Sequence, residues 1–186
     1  MANEVERIDL KVFVDAPAGA NLDPILTVFD RWRQEDGTAS DWIDLADYAH
    51  MARGPAVMMA GKREHFAIDT NEPGMGILCS VRAGLSGTNE ERFAEAFQRH
   101  LVLSKRLVGE PEWPADFSVR SGEWEISIND RLNFPNSDEK EEAVRPAAEA
   151  AAKAVLGDVQ VAHDSDPQRR LGWSVKAQSS ANLADL

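Results

Sequence analysis

A chain of 186 residues with 43% hydrophobic and 28% charged side chains carries enough apolar surface for a core, so global disorder is excluded and one domain is expected. Thirty-two Asp and Glu against twenty Lys and Arg leave a net charge of -12, a field that repels nucleic-acid phosphates and anionic membranes. The single cysteine, Cys79, excludes an internal disulfide, and its apolar neighbours mark it as a buried residue.

Taken in chain order, Ile8, Leu10, Val12 and Val14 alternate with Asp9, Lys11 and Phe13, which predicts a strand with one apolar face. The stretch before it, Met1 to Glu6, is acidic where a secretion signal is basic and then apolar. Ala16 to Gly19 breaks the strand. Asp23 then caps a helix with Pro24 in its first turn and a buried stripe of Ile25, Val28, Phe29 and Trp32; Glu35-Asp36-Gly37 ends it. A second strand is predicted over 42–46. Three short apolar runs follow, Ala56 to Ala60, His65 to Asp69 and Met75 to Val81, with turn residues between them, as in a meander of hairpins.

Thr88 and Glu91 form a capping box for a helix that carries Phe93, Phe97, Leu101 and Val108. Gly109 to Pro114 stops it and is the expected lobe boundary. Trp124, Ile126 and Ile128 alternate as another strand. Asn136 and Glu139 are read as caps of a helical region that Pro146 divides in two and Gly157 terminates. Val159 to Ala162 and Leu171 to Ala177 make a final hairpin, and 178–186 is expected to be a flexible tail.

This order predicts an α+β fold in one domain, 1–177. Its sheet is largely antiparallel or mixed, with three to four helices packed on it. Two lobes of strand-helix-strand-strand type, 7–109 and 115–177, are expected. The mixed option arises because strands 8–14 and 42–46 can pair in parallel across the first helix. No apolar run approaches the ~20 residues of a membrane span, so the expected location is cytoplasmic, with neither membrane nor nucleic acid as partner.

Several segments resemble a family of uncharacterised bacterial proteins of unknown function: Leu10 to Val14, Val28 to Trp32, Ile43 to His50, Gly54 to Val57, and Ile128 to Leu132 with Pro135-Asn136. They spread over most of 8–156. The resemblance implies no particular activity. Met51-Ala52-Arg53 stands where the family would carry more polar or histidine-bearing residues, which argues against a shared metal site there.

Polar chemistry concentrates between Trp42 and Leu85, where Asp44, Asp47, Tyr48, His50 and Arg53 precede Gly54-Pro55 and His65 and Asp69 follow. Carboxylates and imidazoles are metal ligands. On a strand, however, Asp44 and Asp47 point to opposite faces, and His65 and Asp69 stand ~13 Å apart. No metal site is therefore assigned, and whether these five residues converge is left to the fold. No P-loop, dinucleotide fingerprint, Cys-x-x-Cys or His-Glu-x-x-His occurs, so no cofactor is expected. His50 oriented by Asp47 is the candidate general base, and Arg131 set by Asp130 the candidate anion clamp. The leading expectation is a binding protein for a small molecule, a protein partner or a second copy of itself, with a homodimer rated just ahead of a monomer. The competing expectation is a small enzyme built on His50, Asp47, Asp130 and Arg131.

Overall fold

Strand β1 (Ile8–Asp15) lies at the centre of the sheet, and its two faces differ in kind. Ile8, Leu10 and Val12 are fully buried on one side, while Asp9 and Lys11 occupy the other. The computed structural model describes residues 4–35, 42–51, 53–178 and 182–186. Around β1 it builds one eight-stranded sheet from β2 (Trp42–Asp47), β3 (Pro55–Gly61), β4 (Glu64–Asp69), β5 (Gly76–Val81), β6 (Ser118–Ile128), β7 (Val159–His163) and β8 (Gly172–Ala177). The spatial order is β2-β3-β4-β5-β1-β6-β8-β7, and every pairing is antiparallel.

The α+β class and the meander of hairpins therefore stand, while the parallel pairing of the first two strands does not form. A meander β2 to β5 ends beside β1 with an antiparallel match of every residue from Ile8↔Val81 to Phe13↔Gly76, so β2 is carried out to the edge. Strands of both expected lobes share this one sheet, with β1 between them.

Three α-helices, α1 (Asp23–Glu35), α2 (Asn89–Val108) and α3 (Asp138–Leu156), cover one face. Phe29 of α1 packs on Phe66, and Phe97 and Phe93 of α2 pack on Trp124 and Trp173. The strand register puts these three partners on the side of Leu10 and Val12. The stripe Ile25, Val28, Phe29, Trp32 is buried as its spacing predicts. The Asp36-Gly37 stop lies outside the described residues.

The helix ends show where local signals succeed and where they are outcompeted. Thr88 and Glu91 make the reciprocal capping box. At α3 the cap is Ser137, which accepts from Lys140 N, while Asn136 is drawn away to the β7–β8 loop, where its amide donates to the carbonyls of Asp164 and Asp166. Pro146 does not divide α3. It lies on the exposed side of a helix buried through Val144, Ala148, Ala151 and Ala152, so the carbonyl it strands at Glu142 faces water.

The Gly109–Pro114 segment is fastened, not a free joint. Arg31 makes a two-pronged pair with Glu112 (2.5 and 3.1 Å) and reaches Glu110, which also accepts from Trp32 Nε1 at 2.7 Å. Leu183–Asp185 forms a 3₁₀ turn with Leu183 buried.

Under α2, His100 is fully buried against Trp124. Its Nε2 lies 2.9 Å from the carbonyl of Ile77, which can only accept, so Nε2 carries the proton and Nδ1 accepts from Ser104 Oγ at 3.1 Å. Burial pushes the imidazole down to about 4. Between the ordinary value of 6.5 and about 4 the unfolded chain holds a proton that the folded one refuses, so stability drains away as pH falls through that window. His100→Gln should remove this slope: the stability gap between the native protein and the variant is expected to shrink by roughly 1.4 kcal/mol per pH unit below pH 6.5. Urea unfolding across the window checks it, and a gap that stays constant with pH contradicts a neutral His100.

Candidate functional site: the helix-free face of the sheet

No described helix covers the second face. Along β1 the residues between the core positions must point there, and they are Asp9, Lys11 and Phe13. Their cross-strand neighbours continue the pattern: Ser80, Asp9 and Ser127 lie in one row, and Leu78, Lys11, Glu125 and Ser174 in the next. With the loops after β4 and β7 as walls, they enclose an open groove of about 960 Å³.

Charge on this floor is buried, which is rare for Asp and Lys without partners. Lys11 is 3% exposed; its Nζ meets Asp69 Oδ2 at 2.7 Å and donates to the carbonyl of Asn71 at 3.0 Å. Asn71 in turn donates to Asp69 Oδ1 at 2.9 Å. The lysine stem needs the absent side chain of Gly76, where a Cβ would sit 2.8 Å from both Cγ and Cε of Lys11 and 2.5 Å from the carbonyl oxygen of Val12. Asp9 pairs with Arg170 at 2.5 Å and accepts from Asn129 at 3.2 Å.

Burial raises the carboxyls of both Asp9 and Glu125; Arg170 opposes this at Asp9 and Lys11 at Glu125. Arg120 joins Glu123 at 2.9 Å and lies over the ring of Phe13, 5.1 Å from its centroid. Its Nε is 3.3 Å from Asp15 Oδ1 without hydrogen-bond geometry. Among the described residues it is the only buried side-chain polar atom lacking a hydrogen-bond partner.

The residues singled out from sequence are dispersed. Asp44 and His65 lie on the helix-free face of β2 and β4, two strands apart, whereas Asp47 points to the opposite face. Asp69 is committed to Lys11. No group of three or more His, Cys, Asp or Glu able to hold a metal exists among the described residues. His65 is held below its ordinary value, first by burial and then by Arg82.

His50 is exposed in the turn after β2, and the Asp47 carboxylate accepts from the Ala49 N–H at 2.9 Å; among the described residues no hydrogen bond joins it to His50. Asp130 caps its own turn by accepting from Asn133 N and Nδ2, which hold its carboxyl low. Arg131 is on the groove wall, where it donates to the carbonyl of Gln168 at 2.7 Å. Arg131 and Arg53 line the groove; His50, Asp47 and Asp130 do not.

No protein-family model matches this chain, and the comparison with curated proteins returns no match. Among the described residues, no helix is long and apolar enough to cross a membrane.

Reading from sequence passed over Lys11, Asp9, Glu125, Arg120 and Arg170. A usable signal existed for the first two: charged residues that alternate with Ile8, Leu10, Val12 and Val14 in a strand are costly to bury unless paired. Their partners lie 58 and 161 positions away, beyond the reach of any local pattern.

Removing one half of the central pair should expose this cost. Lys11→Met leaves Asp69 buried without its cation and is expected to lower stability by roughly 3 kcal/mol, while adding Asp69→Asn restores a large part of it. Urea unfolding of the two single variants and the double variant measures the coupling. Additive losses would mean the two side chains do not act as a pair.

Proposed function

We propose that the protein is a binding module that recognises a protein partner through the helix-free face of its sheet. The observation that carries this reading is a floor of buried, mutually paired charges on a sheet face left uncovered by its own helices. Such charges cost stability relative to an apolar face, and together with the exposed polar side chains around them they give the face a directional, register-specific pattern of charge. The groove is broad and open, unlike the enclosed and mainly apolar cavity that suits a small ligand.

An apolar shoulder adjoins it. Met58, Ala67 and Leu78 continue the cross-strand row of Lys11 across β3, β4 and β5. A charged basin beside an apolar strip fits the mixed polarity of a protein interface. It also gives a use to the two-sided apolar character of β3 and β5. Catalysis has less support. His50 and Asp47 stand outside the groove, and five of the six carboxylates that line it are tied to lysine or arginine.

A photo-crosslinking side chain tests this in cells. Ser174 is exposed on the groove floor, and Val102, 65% exposed on α2, serves as the control. Crosslinking from position 174 should give a discrete heavier protein species that position 102 does not. Equal adducts at the two positions, or none at 174, would refute recognition by this face. A small molecule retained in native mass spectrometry and lost on blocking position 174 would replace the protein partner with a metabolite.

A further inference from the structure

We infer that the segment received by this groove is an acidic stretch of the partner protein, an inference that rests on the reading of the groove as a protein-binding face. The chain as a whole carries twenty Lys and Arg against thirty-two Asp and Glu. The groove reverses that balance, with seven Lys and Arg among its lining residues against six Asp and Glu.

Which of these charges are already neutralised decides what remains to attract a ligand. Five of the six acids are spent internally: Asp9 on Arg170, Asp69 on Lys11, Glu123 on Arg120, and Glu125 and Asp164 on Arg169. Among the described residues, Glu72 alone of the six has no ion pair. Three cations, Arg53, Arg131 and Lys176, have no carboxylate within ion-pair distance among the described residues; Arg131 is bound only to a carbonyl. All three are exposed.

Their placement favours an extended ligand over a compact one. Arg131 follows the end of β6 that pairs with Ile8, at one end of the strands. Arg53 precedes β3, whose first residue pairs with Asp69, and Lys176 pairs with Glu123; both mark the other end, on opposite sides of β1. Three separate corners cannot close on one small anion, but successive carboxylates along a chain can reach them in turn. A guanidinium offers each carboxylate a two-pronged contact.

A nucleic-acid strand is the less favoured anion. Phe13 and Trp173 are buried, so the groove presents no aromatic platform for bases.

Fluorescence anisotropy with a labelled peptide alternating Glu and Gly tests the inference on the full chain. Its Lys/Gly counterpart, an oligo-dT and inorganic phosphate complete the comparison. The acidic peptide should bind, weaken as salt is raised, and lose affinity by about tenfold or more in the triple variant Arg53→Ala/Arg131→Ala/Lys176→Ala. These three side chains are exposed and make no ion pair among the described residues, so the melt should fall only slightly, through loss of the Arg131–Gln168 bond, which separates lost binding from lost fold. Tighter binding of the Lys/Gly peptide or of oligo-dT, full displacement by phosphate, or indifference to the triple variant overturns the acidic ligand. If crosslinks from position 174 persist in that event, the groove keeps its role and only the charge class falls. If they vanish as well, both readings fail together.

Discussion

Everything in this molecule turns on the requirement that one strand satisfy two unlike surroundings. β1 sends Ile8, Leu10 and Val12 into a core roofed by helices, with aromatic residues from α1 and α2, and Asp9 and Lys11 into a face that no described helix covers. A period of two residues makes this division absolute, since a slip of one position would bury the charges under α2 and bare the aliphatics. The ion pairs Lys11–Asp69 and Asp9–Arg170 reinforce the register from the outside as the aliphatic rows fix it from within. Neither pair need add net stability to do so, because desolvation offsets most of the attraction.

The arrangement also explains why the uncovered face is a basin and not a flat wet sheet. Gly76 lets the lysine stem bend across β5 toward β4, and the loops after β4 and β7 rise on either side. The β7–β8 loop is held by two independent clasps: Asn136 bonds the carbonyls of Asp164 and Asp166, and Arg131 bonds that of Gln168. Arg169 and Arg170 thus reach the floor from a wall that the α3 approach segment fixes in place. Asn136 further accepts from His163 Nε2 at 2.7 Å, so one side chain ties the end of β7 to the loop that follows it.

Local grammar carried the sequence reading a long way. The helical stripe Ile25–Trp32, the Thr88–Glu91 box and the alternation at Trp124, Ile126 and Ile128 each depend on neighbours within a turn or two, and each element forms where its pattern lies. Pro146 and Asn136 show the limit. A proline breaks a helix only if the freed carbonyl cannot reach water, and an asparagine caps only if nothing distant binds it better. Neither condition is written nearby. The site suffered most from this, because a cluster of acids and a histidine in one stretch draws the eye, whereas Asp9, Lys11, Glu125 and Arg170 look like ordinary strand and loop residues until the sheet assembles them. Of the four residues proposed for catalysis, Arg131 alone faces the basin.

The position of β1 has a bearing on how the chain comes together during synthesis. It leaves the ribosome before the other seven strands of the sheet, yet its two neighbours are β5, which matches Ile8 to Val81, and β6, which matches Ile8 to Ile128. Until β6 emerges, the meander can zip up against one flank only, leaving a long row of unclaimed amide and carbonyl groups beside the aliphatic side chains of Ile8, Leu10 and Val12. Loop closure over such spans is slow, and bare flanks of this kind attract other chains. The half-made protein is accordingly the form most in need of shelter, and the arrival of Ser118–Ile128 is the event that ends the exposure.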